Sequence, residues 1–144
     1  MITVGQVLQE KGSRIWSVAP DSMVYDALAL MAEKNLGAVL VMDGARIAGI
    51  FSERDYARKL ILRGKSSKET PVREIMTKDV LLARPGQSIE ECMALMTDKR
   101  IRHLPVVEAE KLIGVISIGD VVKALISEHK MVIKQLEGYI SGGL

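Results

Sequence analysis

The sequence has few aromatic residues and almost no excess of charge of one sign. Aromatic residues make up 3% of its 144 residues, and the formal net charge is +2. A dedicated nucleic-acid binder usually combines a strongly basic surface with aromatic side chains on which bases stack. The composition therefore disfavours nucleic-acid binding, and the basic run within residues 54–68 is better explained as a solvated helix end.

Cysteine is almost absent, and long apolar runs are missing. The single Cys92 cannot form a disulfide within the chain, and it follows Ile89 at helical spacing, so we expect a small buried side chain. No apolar run approaches the ~18 residues needed to cross a bilayer. The first twelve residues also lack the basic, apolar and small segments of a secretory signal. We therefore expect a protein of the reducing cytoplasm.

The chain does contain an internal repeat. GIFSERD at 49–55 returns as GVISIGD at 114–120, and an offset of 65 aligns residues 20–61 with 85–126 without a gap. Unrelated segments of this length share about two or three identities. Here the identical pairs are Pro20/Pro85, Ala29/Ala94, Leu30/Leu95, Met31/Met96, Lys34/Lys99, Val41/Val106, Gly49/Gly114, Ser52/Ser117, Asp55/Asp120, Leu60/Leu125 and Ile61/Ile126. The chain is a duplication.

Both copies predict the same order of elements, which is strand, helix, strand, strand, helix. In the first copy IWSVA opens, Ser22 caps a helix, AVLVMD and IAGIFS form a hairpin around Asp43-Gly44, and ERDYARKLIL closes. In the second copy the same order is predicted for VLLAR, a helix capped by Ser88, the strands LPVVE and LIGVIS, and IGDVVKALISEH. This predicts an α+β fold.

The copies also predict the domain organisation. We expect a first repeat at 1–64, a linker at 65–71, a second repeat at 72–128 and a C-terminal helical extension at 129–144. About 60 residues is marginal for an independent core, so we expect the two β-α-β-β-α repeats to pack sheet to sheet about a pseudo-twofold axis. The extension carries apolar residues at helical spacing, and it is either a subunit-contact helix or a helix that folds back on its own chain.

The repeated Gly-x-x-Ser-x-x-Asp segment is the main candidate for a site. One explanation is a helix cap, in which Ser52 or Ser117 and the following Asp55 or Asp120 satisfy free N–H groups. The other is ligand binding, because an Asp at a strand-to-helix turn can accept both hydroxyls of a ribose, while the helix start and the Ser attract phosphate. Both copies use the shorter Asp where caps usually have Glu or Gln, which favours a nucleoside phosphate.

Glycine and basic residues near the motifs support a ligand site. Gly49 and Gly114 lack a side chain where a ligand could approach the strand. Arg102 and His103 precede a strand of the second copy, and arginine suits phosphate oxygens. Arg54 lies inside the first motif and Arg58 follows one turn later, whereas the second motif is followed only by Lys123. We therefore expect the tighter phosphate site near Arg54 and a more nucleoside-like site at Asp120.

Several stretches make the chain resemble a tandem pair of cystathionine beta-synthase (CBS) domains, also called a Bateman module. They are the two Gly-x-x-Ser-x-x-Asp segments, the strand entries NLGAVLV and RIRHLPV, the helix starts APDSMVYDAL and RPGQSIEECM, and PVREIM. The resemblance covers residues 2 to about 128. The run FSERDYARKLILRGKSS is similar to small stand-alone CBS-pair proteins.

The resemblance implies an adenosine ligand and assigns roles to residues. The family binds AMP, ADP, ATP, S-adenosylmethionine or, in some stand-alone members, NAD(H), with the motif Asp on the ribose and the motif Ser near phosphate. Cations ahead of the strand-entry proline correspond to Arg102 and His103, whereas the first copy has Gly37 and Ala38 there. Adenine contacts carried over from the family are Thr77 and Val80 near Asp55, and Gly12 and Ile15 near Asp120. Family modules commonly form homodimers that change shape with nucleotide.

Three classes of function follow from these patterns. The first is a regulatory sensor that binds an adenine nucleotide, needs no metal and acts on a partner protein in trans. The second is a structural dimerisation module in which Ser-x-x-Asp only caps helices. The third is a nucleotide-processing enzyme, which the residues disfavour because the chain has two histidines, no Cys/His cluster and neither a G-x-x-x-x-G-K-[ST] nor a G-x-S-x-G motif. We therefore expect no catalytic residues and no metal site.

Overall fold

A computed structural model describes residues 1–140 of the chain and divides it into two compact units. The first-motif unit comprises residues 15–80, and the second-motif unit combines residues 1–14 with the chain from 81 onward. Each unit therefore includes residues expected in the other repeat, which are 1–14 in the second-motif unit and 72–80 in the first-motif unit. Residues 1–14 join the second motif because Val4, Val7 and Leu8 are buried in its core, and residues 72–76 join the first through Val72 and Ile75.

The first-motif unit has a three-stranded sheet. Its strands are β1 (Ser17–Val18), β2 (Ala38–Asp43) and β3 (Arg46–Ser52), with β1 parallel and β3 antiparallel to β2. Helix α2 (Val24–Lys34) packs on it, and its core includes Phe51, which is fully buried. The chain after β3 is helical but irregular, with a short α3 (Glu53–Asp55), a π-helical turn (Tyr56–Leu60) and a 3₁₀ turn (Ile61–Arg63).

The second-motif unit has a hairpin and longer helices. It contains α1 (Val4–Lys11), α4 (Ile89–Lys99), β4 (His103–Glu108), β5 (Lys111–Ser117) and α5 (Ile118–Ile140). Cys92 is buried on α4, as expected. Both hairpins shift register at equivalent positions, at Val41/Met42 and at Val106/Val107. The shared irregularity confirms that the two halves are copies of one unit.

The α+β fold class is confirmed, and several local predictions need correction. Ser22 does not cap α2, because its Oγ accepts from the N–H of Ala19 and Met23 occupies the cap position. The opening strand of the second copy is reduced to one bridge between Ala83 and Val106. In the first copy β1 keeps only two residues. The sheet-to-sheet packing and the boundaries 1–64, 65–71, 72–128 and 129–144 stay predictions.

The predicted C-terminal extension continues α5 as far as residue 140 and does not fold back within that range. Residues 141–144 of the expected extension lie outside the described part of the chain. Several large apolar side chains in the part of this helix after Glu128 are at least one-third exposed, among them Val132 and Leu136. Among residues 1–140, no helix has the length and apolar character required to span a membrane.

Candidate functional site

The first motif forms a closed capping box. The N–H and the Oγ of Ser52 both donate to Asp55 Oδ2 at 3.0 Å, and the N–H of Asp55 donates back to Ser52 Oγ at 3.2 Å. The other carboxylate oxygen, Oδ1, accepts from Thr77 Oγ1 at 3.0 Å and from Lys59 Nζ at 2.9 Å. A carboxylate offers about four lone-pair sites. Asp55 is therefore filled by donors of its own chain, and its side chain is only 8% exposed.

The second motif forms the same cap with a different outer partner. The N–H of Ser117 donates to Asp120 Oδ2 at 2.8 Å, and the N–H of Asp120 donates to Ser117 Oγ at 3.1 Å. The ammonium of Lys11, at the end of α1, donates to the same Oδ2 at 2.6 Å and to the carbonyl of Val115 at 2.7 Å. The backbone N–H of Ser117 and the Lys11 ammonium thus both donate to Oδ2, and the Asp120 side chain is 22% exposed.

Neighbouring groups stabilise the charged form of Asp120. Burial alone would raise the pKa of this carboxyl, but the hydrogen bond from Lys11, the hydrogen bonds from Ser117 and the Lys11 charge outweigh burial. The net result is a pKa below the ordinary value for Asp. Asp120 is therefore a carboxylate at neutral pH, ready to accept hydrogen bonds from hydroxyl groups.

The motif glycines serve packing within the chain rather than ligand access, which corrects the sequence-based reason for them. A Cβ on Gly49 would lie 2.7 Å from the carbonyl oxygen of Thr77 and 2.8 Å from the sulfur of Met76. A Cβ on Gly114 would lie 2.8 Å from Cδ2 of Leu8. In both units another part of the chain crosses the strand closely, residues 76–77 over Gly49 and α1 over Gly114, so the space is already occupied.

Arg102 and His103 lie beside the second motif, as expected. The carbonyl of Arg102 accepts from the N–H of Ile118 at the start of α5, and His103 pairs with Ser117 across the hairpin. Burial lowers the pKa of His103, the charges of Lys11 and Arg102 lower it further, and Asp120 opposes them. At the equivalent place in the first-motif unit, the N–H of Glu53 donates to Gly37, which has no side chain. At this position a cation is therefore present in the second-motif unit and absent from the first-motif unit.

A cavity of about 540 Å³ adjoins Asp120. Its charged lining residues are the acids Asp120 and Glu10 and the cations Lys11 and Lys123, and the rest of the lining is apolar or polar. This volume falls within the range of small-molecule sites in proteins. Among residues 1–140, no group of three or more His, Cys, Asp or Glu side chains is arranged to hold a metal ion.

The family is decided by a comparison with known domains. The model of a family described as CBS domain matches residues 4–62 and 72–127. The chain belongs to the CBS-domain family. A relative from Arabidopsis thaliana, "CBS domain-containing protein CBSX3, mitochondrial", is 42% identical over 151 residues, which cover 98% of this chain and 73% of the relative.

Solved structures show the same fold. A CBS-domain protein from Burkholderia ambifaria MC40-6 is 56% identical, with a TM-score of 0.85 over 87% of this chain and 94% of that chain. The CBS-domain pair of protein MJ0100, solved with 5'-methylthioadenosine and S-adenosyl-L-methionine, is 18% identical, with a TM-score of 0.77 over 89% of this chain and 98% of that chain. The chain is therefore a CBS pair, and the resemblance drawn from its motifs is confirmed.

The remaining site candidates of this CBS pair differ in burial and in hydrogen bonding. Thr77 lies against Asp55, as the family resemblance implies, but its N–H and carbonyl both pair with Ile50 and its hydroxyl is used by Asp55. Gly12 is exposed and ends α1 directly after Lys11. Arg54 is exposed on α3, while Val80 and Ile15 are partly buried in the first-motif unit.

Two lysines of this CBS pair were missed by the sequence analysis. Lys59 follows Asp55 by four residues, so helical spacing gave a signal for their ion pair. Lys11 precedes Asp120 by 109 positions. The sequence gives no signal for that contact, because only the packing of α1 in the second-motif unit brings Lys11 to the motif.

Proposed function

We propose that this CBS pair is a non-catalytic regulatory module that binds an adenine nucleotide, such as AMP, ADP, ATP or NAD(H), and acts on a partner protein in trans. We further propose a homodimer in the cytoplasm that needs no metal. The groups proposed for sugar and phosphate are Ser52, Arg54, Asp55, Arg102, His103, Ser117 and Asp120. The groups proposed for adenine are Gly12, Ile15, Thr77 and Val80.

The observation that carries this proposal is the setting of Asp120. Its carboxylate lies at a strand-to-helix corner, lines a cavity of about 540 Å³ and has Lys11 and Lys123 beside the same cavity. A carboxylate in this position can accept both hydroxyls of a ribose, and nearby cations suit phosphate. The adenosine compounds in the MJ0100 structure support the ligand class, since they show that this fold can hold them.

A second candidate function, a structural dimerisation module without ligand, is favoured by a specific observation. In both motifs the Ser and the Asp are joined by reciprocal cap hydrogen bonds. Such bonds satisfy free N–H groups at a helix start and are sufficient reason for a Ser-x-x-Asp pattern. Under this alternative the aspartates contribute to stability and bind nothing.

Calorimetric titration of AMP, ATP, NAD and NADH into the wild type and into Asp55→Asn and Asp120→Asn separates the candidates. The sensor predicts heat of binding with the wild type, loss of that binding in at least one variant, and unchanged nucleotide afterwards. Silence toward all four compounds, with each variant losing about 1 kcal/mol of stability, would favour the structural module. Chemical conversion of the nucleotide would favour an enzyme.

A further inference from the structure

The two units protect the edge of their last strand in different ways. In the first-motif unit the carbonyl of Ile50 accepts from the N–H of Thr77 at 2.8 Å, and the N–H of Ile50 donates back to Thr77 at 2.9 Å. Val115 is the equivalent of Ile50 at the offset of 65. Its carbonyl accepts instead from the side-chain ammonium of Lys11 at 2.7 Å. One edge is closed by backbone, and the other by a single flexible side chain.

The difference follows from the segment that crosses each motif strand, which is residues 72–77 in the first-motif unit and α1 in the second-motif unit. Leu8 and Met76 fill the space over Gly114 and Gly49 respectively, so they hold comparable places in the two units. The 3₁₀ turn at Val72–Glu74 ends before Met76, and Thr77 pairs with β3. After Leu8, by contrast, α1 continues to Lys11, and its backbone groups stay within the helix. The Lys11 ammonium then reaches β5 in place of a backbone N–H.

The hydrogen bonds and the exposure of the two motif aspartates differ in the same way. Asp55 accepts four hydrogen bonds, which include one from the hydroxyl of Thr77, and is 8% exposed. Among residues 1–140, Asp120 lacks a counterpart of the Thr77 hydroxyl, and its outer donor is Lys11, which donates to Oδ2 together with the N–H of Ser117 and whose side chain is 38% exposed. A lysine on a four-carbon stem can change partner without any movement of the backbone. Only the second motif can therefore be opened by the motion of one side chain.

We propose that Lys11 is the gate of the nucleotide site at Asp120. When the ligand enters, Lys11 leaves Asp120 and the carbonyl of Val115, and both acceptors become available to the hydroxyl and amino donors of an adenosine. The ammonium then turns to the phosphate of the same ligand. The gate rests on the proposed function and narrows it, because it assigns the nucleotide to the second motif alone and leaves Asp55, one of the two aspartates proposed above for the sugar, as a structural cap. The gate therefore places the tighter phosphate site at Asp120, whereas the sequence-based expectation placed it near Arg54.

The gate predicts that the Lys11 charge has opposite effects on the affinity for a neutral nucleoside and on the affinity for a nucleotide. To place a hydroxyl on Asp120 Oδ2 and its amino group on the Val115 carbonyl, adenosine has to break both Lys11 contacts, and it offers the lysine no anion in return. ATP breaks the same pair and supplies a new anion for the ammonium, with a charge-assisted hydrogen bond. Removal of the Lys11 charge should therefore favour adenosine and disfavour ATP.

The test is calorimetric titration of adenosine and ATP into Lys11→Met and into the matched control Lys59→Met. Methionine keeps the unbranched stem and is a good helix former. With Lys11→Met we expect adenosine to bind about three- to tenfold tighter and ATP about three- to tenfold weaker, since each change corresponds to about one hydrogen bond gained or lost. With Lys59→Met we expect neither affinity to change. Lys11→Gln serves as a second variant with the same expected direction, and far-UV circular dichroism checks the fold.

Several outcomes would overturn the gate. They are unchanged adenosine affinity in both Lys11 variants, the same reversal of preference in Lys59→Met, and binding that survives Asp120→Asn but is lost in Asp55→Asn. Each of these leaves the proposed nucleotide function intact. Absence of any adenosine or ATP binding by the wild type would instead overturn the proposed function and the gate together.

Discussion

At the scale of single residues, Asp55 and Asp120 hold the same position in their repeats and have different surroundings. Asp55 is enclosed by Ser52, Thr77 and Lys59, all from its own unit. Asp120 shares its carboxylate between a cap and Lys11, and it borders a cavity. Removal of Asp55 should therefore affect stability, whereas removal of Asp120 should affect ligand binding as well.

His103 provides a pH test of the second site. In the free protein, burial together with the charges of Lys11 and Arg102 lowers the pKa of His103, and Asp120 opposes this. A bound phosphate adds negative charge and raises this pKa, so the complex takes up a proton. ATP affinity should therefore rise as pH falls through the window between the raised pKa in the complex and the lowered pKa of the free protein.

The measurement is calorimetric titration of ATP across that window with the wild type, His103→Gln and His129→Gln. His129 is exposed on α5, so its variant should follow the wild-type profile. The His103 variant should retain only the pH dependence that belongs to ATP itself. Identical profiles for all three proteins would show that His103 does not sense the phosphate.

At the scale of elements, the segments that cross the motif strands explain both glycines. Over Gly49 the nearest atoms belong to the backbone of Thr77 and to Met76, and the Thr77 backbone is fixed by two hydrogen bonds to Ile50. Over Gly114 the nearest atoms are the terminal methyl groups of Leu8. A side chain can move aside at lower cost than a paired backbone.

Alanine at these two positions should therefore destabilise the protein unequally. Gly114→Ala should cost about 1 kcal/mol, and Gly49→Ala should cost more, up to about 3 kcal/mol, because of overpacking against a fixed carbonyl. Urea unfolding of both variants measures the difference. Equal losses, or a larger loss for Gly114→Ala, would contradict the packing described for Thr77.

The elements differ in how far the sequence predicts them. The strand AVLVMD and the helix IEECMALMTDK coincide with β2 (Ala38–Asp43) and α4 (Ile89–Lys99), because alternation, helical periodicity and turn residues are local signals. The opening strands are shorter than predicted, because the length of a strand depends on a partner strand that composition does not reveal. In the same way the motif positions were predicted, but the partners Thr77 and Lys11 depend on tertiary packing.

The first motif also shows a limit of the repeat argument. ERDYARKLIL was predicted to be a regular helix, like its counterpart in the second copy. It instead combines α3 with a π-helical turn (Tyr56–Leu60) and a 3₁₀ turn (Ile61–Arg63) that ends at Gly64. Aligned positions therefore share a fold without sharing local helix geometry, which is one reason why the two motifs are not equivalent sites.

At the scale of the whole molecule, the proposed homodimer has a candidate contact helix. The part of α5 beyond Glu128 exposes a series of large apolar side chains, which are Met131, Val132, Ile133, Leu136 and Tyr139. Val132, Leu136 and Tyr139 are spaced by four and three residues and therefore lie on one side of the helix, as expected when a second helix packs against it. This fits the sequence-based interpretation of the extension as a subunit contact.

Charged substitutions on this helix test that interpretation. The double variant Val132→Glu, Leu136→Glu should sediment as a monomer, while the wild type sediments as a dimer. The matched control Lys130→Glu, Lys134→Glu changes charge on the same helix and should remain dimeric, because it leaves the apolar positions in place. A dimer in the first variant would place the subunit contact elsewhere.

The central claim is that Asp120, once released by Lys11, holds the ribose of an adenine nucleotide. A crystal structure of the protein grown with ADP tests it most directly. We predict both ribose hydroxyls within about 3 Å of the Asp120 carboxylate and the Lys11 ammonium beside a phosphate oxygen. The claim is contradicted if ADP lies elsewhere while Asp120 still accepts only from Lys11 and the N–H of Ser117.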